Sequence, residues 1–289
     1  MHILLGGTGR VGSVVAQTLL ERGESVTIIT SKPDKIDEWQ RREANVAVVN
    51  VLHTQALHEV LKTGNRLFLL NPPAAPSTDT AAEERKTLTS ILRALDGSGI
   101  EKVVAQSTYG AQPGDRVGDL GVLYEMEQAL QNMQVPVSIL RAAYFMSNWD
   151  MALQTARQDG VVHTFFPTDL KLPMVSPLDI GQVAADLMME PLSQTGLHYV
   201  EGPELYSSTD VANAFANVLE KPVTAIETPP AHWITALTSV GFSQPAAESM
   251  AAMTEIVRNQ AYELPTSPIR GSITLKEYIN ELISKGLSN

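Results

Sequence analysis

The sequence predicts an α/β fold, a doubly wound parallel sheet followed by a smaller, mainly helical C-terminal domain. Three observations carry this. Short apolar runs recur along the chain, helix-patterned stretches separate them, and the rhythm changes beyond Leu172. Strands are expected at 3–5, 26–29, 46–49, 66–70, 103–105, 137–140 and 197–200, with helices around 56–62, 82–95 and 123–132. Strands alternating with helices imply right-handed parallel crossovers, which place ligand sites at the carboxyl ends of the strands. The expected division is a nucleotide-binding-type domain over 1–201, with 149–174 contributing to a pocket, and a cap over 202–289.

The first strand runs into Gly6-Gly7-Thr8-Gly9-Arg10-Val11-Gly12, and Val11, Val14, Val15 and Leu19 then fall on one helical face. Strand, glycine turn and helix in that order give meaning to the G-x-G-x-x-G spacing of Gly7, Gly9 and Gly12. Glycine lets the backbone approach a pyrophosphate closely, and the N–H groups of a helix start attract its charge. The plainer alternative is a turn that only joins strand to helix. On the ligand-binding reading, Gly6, Thr8, Gly9, Arg10, Val11 and Gly12 hold a dinucleotide.

The second strand ends in Thr30-Ser31-Lys32-Pro33, where an NAD site usually carries an acid for the ribose hydroxyls. A hydroxyl and a cation there suit a 2′-phosphate, so NADP is expected, with NADPH preferred over NADH; a solvated turn is the alternative for Lys32. The fourth strand meets Asn71-Pro72-Pro73, which cannot extend it and forces an irregular loop suited to a cofactor wall or to a plain connection. The fifth ends in Ser107-Thr108-Tyr109, a hydroxyl cluster facing the crevice. There Ser107 is a cofactor contact and Tyr109 the catalytic candidate nearest a substrate oxygen. The sixth leads into Tyr144-Phe145-Met146-Ser147-Asn148-Trp149. Tyr144 is expected on the cofactor; Phe145, Met146, Asn148 and Trp149, with Tyr109, are expected to line a substrate pocket, or else to pack as core.

Composition narrows the classes. Lys plus Arg number 21 against 32 Asp plus Glu, a net charge of −11, which disfavours direct nucleic-acid binding. The absence of cysteine excludes disulfides, thiolate metal sites and cysteine nucleophiles. Six scattered histidines, His163 among them in the pocket stretch, show no metal-ligand spacing. A first strand at the very start leaves no room for a signal peptide, and no apolar stretch is long enough to span a membrane, so a cytoplasmic location is the expectation. Beyond 202 the chain reads as mainly helical, with one strand at 223–226 and a capping-box start, Thr274-Leu275-Lys276-Glu277, for a final amphipathic helix.

Taken together, residues 6–12, Leu69-Leu70-Asn71-Pro72-Pro73, and Glu127 through Leu140-Arg141 to Tyr144-Phe145-Met146-Ser147-Asn148 resemble the NmrA-like family of atypical short-chain dehydrogenase/reductases. Val175-Ser176-Pro177-Leu178-Asp179-Ile180 and Glu201-Gly202-Pro203-Glu204 resemble its later landmarks, so the likeness covers nearly the whole chain. The resemblance implies a Rossmann-type domain with a small substrate domain. It also implies kinship with NAD(P)H-dependent quinone, azo-dye and triphenylmethane-dye reductases, and with non-catalytic regulators that sense the cofactor.

Two departures stand out. Asn50-Val51 replaces the Asp that many members carry after the third strand. The Tyr-x-x-x-Lys pair of short-chain dehydrogenases is missing: Tyr124 is followed four residues on by Gln128, and the register set by Glu127 puts Asp119 and Leu123 in the two places. Direct hydride transfer to an electron-poor acceptor needs no such pair, whereas a sugar-nucleotide epimerase would. Two readings stay open: a reductase of a quinone-like, dye-like or small carbonyl acceptor, and a cofactor sensor acting through a protein partner. A homodimer is compatible with either.

Overall fold

The computed structural model describes residues 1–286, so the last three residues of the expected cap lie outside it. The first half alternates β1 (His2–Leu5), α1 (Gly12–Glu21), β2 (Val26–Thr30), α2 (Ile36–Gln40), β3 (Asn45–Val48), α3 (Thr54–Leu61), β4 (Arg66–Leu69), α4 (Thr80–Leu95), β5 (Lys102–Thr108), α5 (Leu120–Gln131) and β6 (Val137–Ala142). Then come β7 (Tyr144–Phe145), α6 (Ala152–Gln158), β8 (Val161–Thr164), β9 (Leu172–Val175), α7 (Pro177–Met189) and β10 (Gly196–Glu201). The remainder comprises β11 (Leu205–Tyr206), α8 (Ser208–Leu219), β12 (Thr224–Glu227), α9 (Trp233–Ser239), α10 (Gln244–Arg258), β13 (Ile269–Arg270) and α11 (Leu275–Gly286).

Eight strands form one parallel sheet in the order β13-β10-β6-β5-β4-β1-β2-β3. Successive side chains of a strand point to opposite faces, and both faces here are covered. Leu4, Ile28, Phe68, Val104 and Leu140 pack on one side with Val15 and Leu19 of α1 and Ile180, Ala184 and Met188 of α7. Ile3, Leu5, Leu67, Leu69 and Val103 pack on the other with Leu57 of α3, Ile91 of α4 and Met126 of α5. The sequence therefore needs continuous apolar strands, and it has them.

Two small sheets, β11-β9-β7 and β12-β8, lie outside this layer. A further core joins Met146, Trp149, Phe166 and Met174 to Phe215, Ile279 and Ile283, so the second lobe draws on chain from both sides of Glu201. The tail also returns to the large sheet, where β13 pairs with β10 at its edge. Asp179, in the first turn of α7, pins that return: its carboxylate accepts the backbone N–H groups of Ser272 at 3.0 Å and Ile273 at 3.2 Å. A Cβ on Gly271 would stand 2.3 Å from Asp179 Oδ2, so this clamp closes only on glycine. On the other side of α7, a Cβ on Gly181 would meet Val14 Cβ at 2.5 Å, so α7 seats directly on α1.

The carboxyl end of α7 is held by two cations from the amino ends of β4 and β5. Arg66 donates to the carbonyls of Met188 and Glu190, and Lys102, fully buried, donates to those of Glu190 and Pro191 at 3.3 Å each. A helix terminus leaves carbonyls unpaired and carries partial negative charge, so a buried ammonium there is both partnered and electrostatically favoured. Burial still lowers the Lys102 pKa, with the Glu190 charge opposing the shift. Lys102→Met, which fits the stem but removes two charge-assisted hydrogen bonds and the ammonium from the helix end, is expected to cost about 2–3 kcal/mol; denaturant unfolding checks this.

Candidate functional site

The strand order reverses between β1 and β4, and the turns after these two strands flank that switch point. After β1, Gly6 adopts φ +79°, and its carbonyl accepts the Gly9 N–H at 2.9 Å. A Cβ at Gly12 would stand 2.1 Å from the Gly6 oxygen, and one at Gly7 would press Ile28 at 3.0 Å. Position 12 admits glycine alone, and the result is α1 starting directly on the end of β1. No side chain caps that start: the N-cap is Val11, with no side-chain hydrogen bond. The Ser13 and Val14 N–H groups bond the Gly9 and Val11 carbonyls at 2.9 Å each, and among the described residues the N–H groups of Arg10, Val11 and Gly12 have no acceptor, which leaves them open to an external anion.

On the β4 side, Asn71 is 5% exposed; its Nδ2 donates to the Glu84 carbonyl at 3.2 Å, while its Oδ1 is buried without a partner. A buried acceptor lacking a donor is costly, and a ribose hydroxyl would satisfy it. A cradle that a Cβ would fill, an uncapped helix start and this orphaned oxygen fit a dinucleotide. Pro73 is exposed and Pro72 half-buried in the same loop. Ser31 and Lys32 stand exposed at the end of β2, and among the described residues Lys32 has no ion pair.

The hydroxyl cluster after β5 is occupied differently from expectation. Ser107 is 2% exposed and donates to Glu127 Oε1 at 2.5 Å. Arg141 closes on the same carboxylate with bonds of 2.9 and 2.7 Å, and donates to the Ala111 carbonyl at 2.9 Å. Ser107 therefore belongs to a buried ionic network that ties β5, α5 and β6. Tyr109 is 5% exposed and donates to Glu201 Oε1 at 2.9 Å, and Glu201 also pairs with Arg270 at 2.7 Å. Burial, then the Glu201 carboxylate, push the Tyr109 pKa well above the ordinary phenol range. A phenol so held is a poor proton donor.

After β6, Tyr144 is half-buried, with ring contacts to Trp149 at 6.1 Å and Phe166 at 5.6 Å between centroids. Burial pushes its pKa up to about 12, opposed by a hydrogen bond with Asn148, which is exposed. Phe145 packs against the first core, whereas Met146 at 0% and Trp149 at 4% exposure are core of the second lobe. His163 is exposed on β8. A cleft of about 390 Å³ between α9 and α10, lined by Arg116, Trp233, Ile234, Glu248, Glu255 and Arg258, includes none of the residues anticipated from sequence. Among the described residues no three metal-ligating side chains converge, and no helix is long and apolar enough to cross a membrane.

One group escaped sequence reasoning. Glu84 of α4 is 8% exposed and accepts the Ala74 N–H at 3.1 Å. Burial, and to a lesser degree the charge of Asp119, push its pKa up to about 7, against the pull of the Ala74 bond. Asp119 stands at the start of α5, accepting from Thr80 Oγ1 at 3.1 Å and donating its N–H to Ser249 Oγ of α10 at 3.0 Å. The available signal was position: Glu84, Leu88, Ile91 and Leu95 form one buried helical stripe.

Fold and site define a Rossmann-type α/β protein with a close-packed glycine turn at the switch point of its sheet. The chain belongs to the NmrA-like family, whose model matches residues 3–280. It is similar to an NAD(P)H azoreductase of Xenophilus azovorans, 23% identical over 251 residues, 86% of this chain and 85% of that one. Two solved structures share the fold. The NADPH-dependent quinone oxidoreductase of Escherichia coli, complexed with NADPH, gives a TM-score of 0.80 at 19% identity, covering 98% of this chain and 100% of that one. The Citrobacter sp. triphenylmethane reductase, complexed with NADP(H), gives 0.82 at 16%, covering 98% and 100%.

The carboxyl of Glu84 favours its protonated form in the fold, its pKa standing above the unfolded value of 4.5. The associated stability is complete below that value and is lost as pH rises through about 7. Glu84→Gln keeps an acceptor for Ala74 and is expected to be more stable than the wild type at pH 8.5, by on the order of 2–3 kcal/mol. The two proteins should converge near pH 4, below the unfolded value; thermal unfolding at the two pH values checks it.

Proposed function

We propose that the protein is an NAD(P)H-dependent oxidoreductase that prefers NADPH and reduces a quinone-like, dye-like or small carbonyl acceptor by direct hydride transfer. The observation that carries the cofactor reading is the glycine cradle at the switch point, with α1 uncapped behind it and Asn71 Oδ1 orphaned beside it. The azo, quinone and dye substrates named for the three similar proteins supply the acceptor class.

On this reading residues 6–12, with the Arg10 guanidinium, hold the pyrophosphate. Ser31 and Lys32 take the 2′-phosphate, as a hydroxyl and a point charge can. Asn71 and the Pro72-Pro73 loop receive the ribose, and Tyr144 offers its ring to the nicotinamide. When bound, the reduced cofactor supplies the hydride. The chain's own residues orient the partners and exclude water, a contribution that positioning alone makes large.

The nature of the acceptor follows from what the chain cannot do. Asp119 and Leu123 stand where short-chain dehydrogenases place tyrosine and lysine, Ser107 is committed to Glu127, and the Tyr109 proton is committed to Glu201. An acceptor that takes hydride before its proton, and draws the proton from solvent, suits such a site. An alcohol dehydrogenase or an epimerase, which needs an activated hydroxyl, does not.

Fluorescence titration is expected to show NADPH binding at least about tenfold more tightly than NADH, and Lys32→Ala is expected to remove most of that difference by weakening NADPH alone. Comparable affinities in the wild type contradict the preference. NADPH consumption with quinones, azo and triphenylmethane dyes and aldehydes tests the reaction. Tight binding without turnover on any of them would replace the enzyme by a cofactor sensor.

A further inference from the structure

Arg10, Asp150 and Tyr278 come from three distant segments: the glycine turn, the turn after β7, and α11. Asp150 Oδ2 lies 2.5 Å from Arg10 Nη1, and Asp150 Oδ1 accepts the Tyr278 hydroxyl at 2.7 Å. The Asp150 side chain is 11% exposed and that of Arg10 63%. A carboxylate so far from water needs charge and hydrogen-bond partners, and these two residues are what it has. Burial raises the Asp150 pKa, and both partners pull it back. The Arg10 contact is an ion pair without an aligned hydrogen bond to Oδ2.

The free capacity of Arg10 is the informative part. A guanidinium presents five N–H donors in a rigid fork. Among the described residues the Arg10 guanidinium has no polar partner besides Asp150, and 63% of its side chain is open to solvent. Asp150 is thus not a competitor that uses up the cation; it attracts one terminal nitrogen and leaves the other donors available. Tyr278 in turn is 9% exposed, on a helix whose Ile279 and Ile283 are anchored in the core of the second lobe. Its position is set by packing, so it can hold Asp150 in place.

We propose that Asp150 and Tyr278 are positioning residues for cofactor binding: Tyr278 holds Asp150, and Asp150 holds Arg10 with its open edge toward the pyrophosphate. This rests on the cofactor reading given under Proposed function. A side chain fixed before the ligand arrives loses less freedom on binding, so the last helix contributes to affinity without touching the dinucleotide. Linkage makes the effect reciprocal: occupancy of the turn protects α11.

The test is a double-mutant cycle read by calorimetric titration of NADP⁺ into the full-length protein: wild type, Tyr278→Phe, Arg10→Met and the double variant. Tyr278→Phe keeps the packed ring and is expected to weaken NADP⁺ about three- to tenfold in the wild-type background, and to change nothing further once Arg10 is gone. The isosteric Asp150→Asn should give a similar loss, which keeps the test usable if Tyr278→Phe disturbs α11. Hydrogen exchange supplies a readout independent of turnover. NADP⁺ should slow exchange across 275–283 in the wild type and not in Arg10→Met.

Unchanged or tighter binding in Tyr278→Phe and Asp150→Asn overturns the proposal. So does an equal loss in both Arg10 backgrounds, which would mark a general effect on the second lobe. A wild type that binds neither NADP⁺ nor NAD⁺ would sink the cofactor reading and the proposal together. Absence of coupling alone sinks only the proposal.

Discussion

Helix α1 approaches the carboxyl end of β1 so closely that a side chain at position 12 would stand 2.1 Å from the Gly6 carbonyl oxygen. The rest of the molecule is built outward from that contact. Because α1 is seated there, its uncapped start faces the switch point between β1 and β4. Because α7 is seated on α1 through Gly181, the Asp179 carboxylate is in place to catch the backbone at 272 and 273, with Gly271 fitted against it. That clamp leads the tail from the edge of the large sheet into α11. Three close approaches, each permitted by a glycine, thus connect the glycine turn to the last helix.

The buried charges around the crevice divide by partner. Glu127 pairs with Arg141 and accepts a bond from Ser107, and Glu201 pairs with Arg270 and accepts one from Tyr109; both assemblies fasten separate elements together. Among the described residues Glu84 has a backbone N–H and no cation, and burial carries its pKa into the neutral range. The hydroxyls of Ser107 and Tyr109 are thereby held on buried carboxylates. On the proposed reading function rests on the backbone cradle, the ring of Tyr144 and the exposed cations Arg10 and Lys32, an inventory suited to binding and orienting more than to proton transfer.

Much of the fold was legible in the sequence because parallel strands covered on both faces must be apolar throughout. Runs such as Ile3-Leu4-Leu5 and Leu67-Phe68-Leu69 can be little else. The final helix was legible from its cap, since Thr274 and Glu277 form the reciprocal bonds their spacing implies. The strands β7, β11 and β13 were not, because two-residue pairings leave no period to read. Met146 and Trp149 show the same limit in the site. An apolar run after a strand is equally consistent with pocket and core, and only tertiary packing placed both in the core of the second lobe. Ser107 stood where sequence put it, but its use depends on Glu127 and Arg141, partners that spacing cannot reveal.

The central claim is that the turn over residues 6–12 is a dinucleotide phosphate site, and amide chemical shifts of the deuterated, ¹⁵N-labelled protein test it most directly. Titration with NADPH is predicted to give its largest, saturable shifts at the amides of Gly7, Gly9, Arg10, Val11 and Gly12, with Ser31 and Lys32 moving in step. Binding that saturates while those amides stay unmoved, or shifts confined to the cleft between α9 and α10, would contradict the account.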